Sequence, residues 1–127
     1  MIKTNELRIG NFVSTNNGFE MLVHSIFQDD TVYLDFIPPL INEADVWEED
    51  YKDLIAIPLT EEWLLKAGFK KIGRLFYHDS FFACELSSHN ELRFEDLDNL
   101  YIKYVHQLQN LYFCFCGEEL VFSTTEP

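Results

Sequence analysis

Pro58-Leu59-Thr60-Glu61-Glu62-Trp63-Leu64-Leu65-Lys66-Ala67-Gly68-Phe69 carries a full set of helix start and stop signals, and the text on both sides of it reads as strands. Thr60 is the N-cap: its hydroxyl can accept a bond from an otherwise unpaired backbone N–H, and Glu61 and Glu62 follow where the positive end of the helix dipole favours carboxylates. Leu59 before the cap and Leu64 inside can close a hydrophobic staple. Gly68 supplies the left-handed residue that stops the helix, with Phe69 folding back on Leu64 as in a Schellman motif. The expectation is two turns of helix that bury Trp63, Leu64 and Phe69.

Working outward, the 127 residues make about one domain by length, or two small lobes sharing a core. A hydrophobic content of 47%, with 16% aromatic, furnishes a core without disulfides or metal. Nine basic residues against 22 acidic ones leave a net charge of −13, which repels phosphate backbones and anionic membrane surfaces. The apolar run from Leu111 to Cys116 is far short of the roughly 20 residues that span a bilayer. Met1 to Glu6 lacks the apolar stretch of a signal peptide, and three cysteines, an odd number, suit a reducing compartment. The expected location is cytoplasmic, with neither nucleic acid nor membrane as partner.

Before the helix the chain alternates short strand patterns with turn signals. Leu7 to Val13, Glu20 to Phe27 and Thr31 to Ile37 are expected strands, punctuated by Asn16-Asn17-Gly18, Gln28-Asp29-Asp30 and Pro38-Pro39. In the third, Val32, Leu34 and Phe36 alternate with Tyr33, Asp35 and Ile37, so the two sets face opposite sides. Asn42 to Asp53 reads as an acidic connection and Leu54 to Ile57 as a closing strand. This order predicts an SH3-like small β-barrel over residues 1–57.

Residues 58–127 predict an α+β segment packed on that barrel: the helix, a hairpin of Lys70 to His78 with Ser80 to Leu86, a turn into Glu91 to Phe94, and a strand over Leu100 to Val105. Val105, Leu108, Leu111, Tyr112 and Phe115 recur at helical spacing, which places a second short helix at about 105–116, stopped by Gly117. Glu118 to Ser123 is expected as a last strand and Thr124 to Pro127 as a frayed tail. The fold class is therefore α+β, an SH3-like half followed by a half with a short β-meander and two short helices.

Three blocks carry a resemblance. Glu6-Leu7-Arg8-Ile9-Gly10-Asn11, Ile57-Pro58-Leu59-Thr60-Glu61-Glu62-Trp63-Leu64-Leu65-Lys66 and Tyr104-Val105-His106-Gln107-Leu108-Gln109-Asn110-Leu111-Tyr112-Phe113 together resemble a family of uncharacterised small bacterial proteins associated with phages and prophages. The resemblance implies a phage or mobile-element context and no assigned activity. Where that family has Ala-Leu-Thr-Gly after the Tyr-Phe pair, this chain has Cys114-Phe115-Cys116-Gly117, so the resemblance implies no essential role for these cysteines.

No pattern in the chain specifies catalysis, a cofactor or a metal. Cys114-Phe115-Cys116 lacks the two-residue spacer of redox and zinc motifs, and on a helix its sulfurs point about 200° apart. Cys84 sits in a strand-like run and reads as a small apolar core residue. His24, His78, His89 and His106 are scattered, none with a second ligand at metal spacing in its own element. His106-Gln107-Leu108-Gln109-Asn110 is polar on one helical face, which suits bridges to the backbone of neighbouring strands, with recognition of a partner as the alternative.

The one stretch that reads as a docking surface is Glu43 to Asp53, where six acids surround Trp47 and Tyr51. Aromatics there can anchor, and Glu48, Glu49 and Asp50 can steer a basic partner; the competing reading is a solvated loop pinned to the core by Trp47. The expected function is non-enzymatic binding of another protein through Trp47, Glu48, Glu49, Asp50 and Tyr51. The alternatives are an acidic mimic of nucleic acid that blocks a DNA-binding protein, and a small enzyme with a site at the junction of the two halves.

Overall fold

The computed structural model describes residue 2, residues 6–36 and residues 47–123, except for the side chains of Asp98 and Asn99. The Pro38-Pro39 strand end, the first part of the acidic connection and the frayed tail lie outside the described residues. The protein is α+β, two antiparallel sheets with two helices. It divides into two compact units, Met1–Ile57 and Pro58–Pro127.

In the first unit β1 (Phe12–Ser14), β2 (Glu20–Ile26), β3 (Thr31–Phe36) and β4 (Trp47–Asp50) form a sheet in chain order, each strand antiparallel to its predecessor. Val13, Met21, Val23, Val32 and Leu34 share its inner face and pack with Ile2, Leu7 and Leu54 into one core cluster. The strand expected from Leu7 begins only at Phe12. Ahead of it Arg8 to Asn11 forms a turn, in which the Asn11 side-chain oxygen accepts from the Arg8 amide at 2.7 Å and the Asn11 amide donates to the Arg8 carbonyl at 3.1 Å. After β4, Tyr51–Asp53 makes one 3-10 turn. The segment expected as a closing strand is a single bridge: Ser14 and Ile55 exchange two backbone hydrogen bonds of 2.8 Å.

The second unit opens with α1 (Glu61–Lys66), which follows its sequence signals closely. Thr60 accepts from the Trp63 amide, and Leu59 and Leu64 are fully buried. Phe69 donates to the Leu64 carbonyl and Gly68 to that of Leu65, the paired bonds of a Schellman stop, with Gly68 at φ +92°. A five-stranded meander follows: β5 (Lys70–Ile72), β6 (Leu75–His78), β7 (Phe81–Leu86), β8 (Leu92–Phe94) and β9 (Leu97–Ile102). Lys70 to His78, expected as one strand, is thus a hairpin turned at Gly73 (φ +66°) and Arg74. Helix α2 (Val105–Cys116) ends at Gly117 as expected. Glu118 to Ser123 forms no strand; Ser123 instead donates to the Lys66 carbonyl at 2.7 Å, and Leu120 is buried.

Period-two alternation gives the second sheet two unlike faces. Phe76, Cys84, Leu92 and Ile102 are buried on one face, while α1 and α2 contribute the buried Leu64, Val105, Leu108 and Tyr112. Ile72, Leu75, Glu85, Arg93 and Tyr101 occupy the other.

Candidate protein-binding surface

Glu48 and its neighbours are not the loop the sequence suggested. Trp-Glu-Glu-Asp has weak strand propensity, yet Trp47 to Asp50 pair residue by residue with Leu34 to Thr31 and become the last strand of the sheet. Pairing with β3 overrides local preference, and it divides the five expected site residues between two faces.

Trp47 lies across from the buried Leu34 and Glu49 across from Val32, so both belong to the rim of the inner face. The Trp47 ring meets Phe36 edge-on at 6.1 Å, and its indole N–H donates to Glu49 Oε1 at 2.7 Å. About a third of Trp47 remains exposed, so it is a rim residue with one end in solvent. Tyr51 is half-buried against the core cluster, and its amide donates to the Asp30 carbonyl at 2.9 Å. Asp50 caps the 3-10 turn by accepting from the Lys52 amide at 3.2 Å, with the Lys52 ammonium 3.9 Å from its other oxygen.

On the outer face Glu48 stands across from Tyr33, and Asp50 across from Thr31. Here an open groove of about 540 Å³ is lined by Phe27, Gln28, Asp29, Thr31, Tyr33 and Glu48. Phe27 and Tyr33 meet edge-on at 4.8 Å, with Phe27 45% exposed. The β2–β3 turn fixes the groove's end. Phe27 and Thr31 are joined by a backbone bond of 2.9 Å, Asp29 accepts from the Thr31 amide at 3.2 Å, and Asp30 adopts a left-handed φ of +69°. The groove therefore offers two aromatic rings and two exposed carboxylates, beside a strand at the end of its sheet. Cations are attracted to both ring faces and carboxylates, and an unpaired strand edge can hydrogen-bond an extended chain.

Phe27 and Tyr33 were not among the expected site residues. The alternation separated Tyr33 from Val32 and Leu34, but its meeting with Glu48 depends on the β3–β4 pairing, which no local pattern encodes.

Several of the remaining chemistry-bearing residues hold the second unit together, while His24 lies on β2 of the first and Cys114 is exposed. Cys84 is fully buried, and burial pushes its thiol up to about 12. Cys116 donates to the Ser80 carbonyl at 3.2 Å, the Ser80 amide donates to His78 Nδ1 at 3.1 Å, and the His78 ring meets Tyr112 edge-on at 5.4 Å. These contacts fasten the end of α2 to the β6–β7 turn. Burial raises the Tyr112 phenol above its ordinary range, against an opposing hydrogen bond with Ser80. Gln107 accepts from the amides of Lys103 and Tyr104 at 3.0 and 3.2 Å, which caps the start of its own helix and is not the bridge to a neighbouring strand that the sequence suggested. Among the described residues no group of three or more His, Cys, Asp or Glu is placed to hold a metal, and no helix is long and apolar enough to cross a membrane. Comparison with protein-family models, curated proteins and solved structures finds no match to this chain.

Proposed function

We propose that this protein acts without catalysis, by binding a basic, extended segment of another protein along the outer face of β3 and β4. The observation that carries this reading is the groove in which Phe27 and Tyr33 stand beside Asp29 and Glu48. The unit around it holds three basic and eleven acidic residues, a balance of −8, which favours encounter with cations. Trp47, Glu49 and Tyr51 support the strand from its inner side, while Glu48 and Asp50 face the ligand. The SH3-like reading of residues 1–57 belongs to this proposal, supported by the Ser14–Ile55 bridge that returns the last segment to the first strand. So do a cytoplasmic location and the phage or prophage context implied by the sequence blocks. Affinity capture from bacterial lysate tests it by comparing wild type with Tyr33→Ala/Glu48→Lys. We expect a basic partner retained by the wild type and lost from the variant, with unchanged circular dichroism; identical captures would sink the reading.

A second reading, mimicry of nucleic acid, is favoured by one observation: Asp35, Glu48 and Asp50 fall on the same face of β3–β4. Alternate residues of a strand repeat at roughly 7 Å, giving a regular row of negative charge. The captured partner would then be a DNA-binding protein, and duplex DNA would displace it.

A further inference from the structure

The solvent face of the second sheet carries a row of side chains in direct register across all five strands. Ile72 pairs with Leu75, Leu75 with Glu85, Glu85 with Arg93, and Arg93 with Tyr101. Ile72 is 66% and Tyr101 50% exposed, and Tyr77, on the same face, is 40% exposed. The two charges occupy the middle with apolar or aromatic groups outside them.

Glu85 and Arg93 do not form an ion pair within the chain although they are cross-strand neighbours. The Arg93 guanidinium lies over the Tyr101 ring at 5.1 Å, and its Nε is 3.8 Å from Glu91. Glu85 is half-buried between Leu75 and Arg93 on the neighbouring strands, at the side of a shallow groove that Lys71 and Arg74 also line. Arginine and tyrosine flanked by aliphatic groups are the residue types that enrich protein interfaces.

We infer that this face binds a second copy of the chain, sheet to sheet, with Glu85 of each copy opposite Arg93 of the other. The charges select the arrangement. A two-fold axis in the interface plane can run across the strands or along them. Across the strands it would set Glu85 against Glu85 and Arg93 against Arg93. Along the strands, passing between β7 and β8, it reverses the row, so that Glu85 meets Arg93 of the second copy and Leu75 meets Tyr101 of the second copy. The row is thus self-complementary in charge and in apolar character, as an isologous contact requires. Sheets packed face to face lie about 10 Å apart, a gap that side chains of this length fill from both sides. The net charge of −13 on each copy opposes approach, but at physiological salt it is screened beyond about 8 Å.

Charge reversal with rescue tests this in the full chain. Sedimentation equilibrium at physiological salt, over concentrations up to about 100 µM, a range that reveals micromolar affinities, should give twice the mass of one chain for the wild type. Glu85→Arg and Arg93→Glu should each weaken association by about tenfold or more, and the double variant E85R/R93E should restore it. Tyr101→Ser keeps both charges but removes an exposed ring and the platform under Arg93, and should also weaken the dimer. A wild-type chain that stays monomeric throughout overturns the proposal, as does a dimer indifferent to the single reversals or a double variant no tighter than either single one.

Discussion

Cys84 pairs across strands with Phe76 on one side and Phe94 on the other, and its Sγ lies 3.9 Å from the Phe76 carbonyl oxygen. The thiol stays neutral in the folded protein up to about 12, whereas an unperturbed cysteine ionises near 9.0. Between those values the folded state holds a proton that the unfolded state has released. This contribution to stability is therefore intact below pH 9 and is lost as pH rises toward 12. Urea unfolding repeated from pH 8 to 11 should show falling stability, with a shallower fall in Cys84→Ala. Thiol labelling at pH 8 should modify the exposed Cys114 readily and Cys84 only on unfolding. The sequence assigned Cys84 to the core because a free cysteine in a Phe-Phe-Ala-Cys run behaves as an apolar residue. It also set Tyr33 apart from Val32 and Leu34. What it could not encode at this scale is which carboxylate would stand beside Tyr33, since adjacent residues of β4 project to opposite faces.

Helix α1 shows how far local signals reach. Its cap, staple and stop lie within twelve consecutive residues, so nothing distant is needed to read them, and α2 was legible for the same reason through its spacing and Gly117. Gly68 is the position where backbone conformation matters most: at φ +92° an added Cβ would be strained, and it would stand 3.5 Å from the His78 ring. Gly68→Val should lower stability by about 1 kcal/mol or more, measured as a reduced urea midpoint with an unchanged slope. An unaltered midpoint would mean that the left-handed stop contributes nothing. Three elements escaped sequence reasoning for distinct causes. The β5–β6 turn hid inside a strand-like run because Gly73 was its only breaker. Strand β4 is acidic and exists through pairing. Glu118 to Ser123 reads as a strand but is held to the unit by the burial of Leu120, the edge-on meeting of Phe122 with Trp63 and the Ser123 bond to Lys66.

At the scale of the molecule, the charge distribution bears on nucleic acid. Both halves are acidic, with balances of −8 for residues 1–57 and −5 for residues 58–127. The densest cationic group is Lys66, Lys70, Lys71 and Arg74, and two of its members are engaged by α1: Lys66 with Glu62 at 3.1 Å and Lys71 with Glu61 at 2.6 Å. A mobility-shift titration at physiological salt should therefore detect no binding of duplex DNA or RNA at micromolar protein. A shift that weakens with salt and vanishes in Lys70→Glu/Lys71→Glu would reverse this expectation.

Strand order in both sheets equals chain order, and within each sheet every strand after the first pairs with its predecessor. The consequence lies in how the chain finds its fold. Neighbouring hairpins can form independently and zip onward with little loop-closure entropy, so most of the ordering is local and fast. Among the described residues, hydrogen bonds between distant stretches include Ser14 with Ile55 in one unit, and Leu59 with Lys103 and Ser123 with Lys66 in the other. These bonds enclose about forty residues or more, so each costs more loop-closure entropy than a hairpin does. Strands β4, β5 and β9 lie at the ends of their sheets, and an exposed strand edge is a template for pairing with another chain.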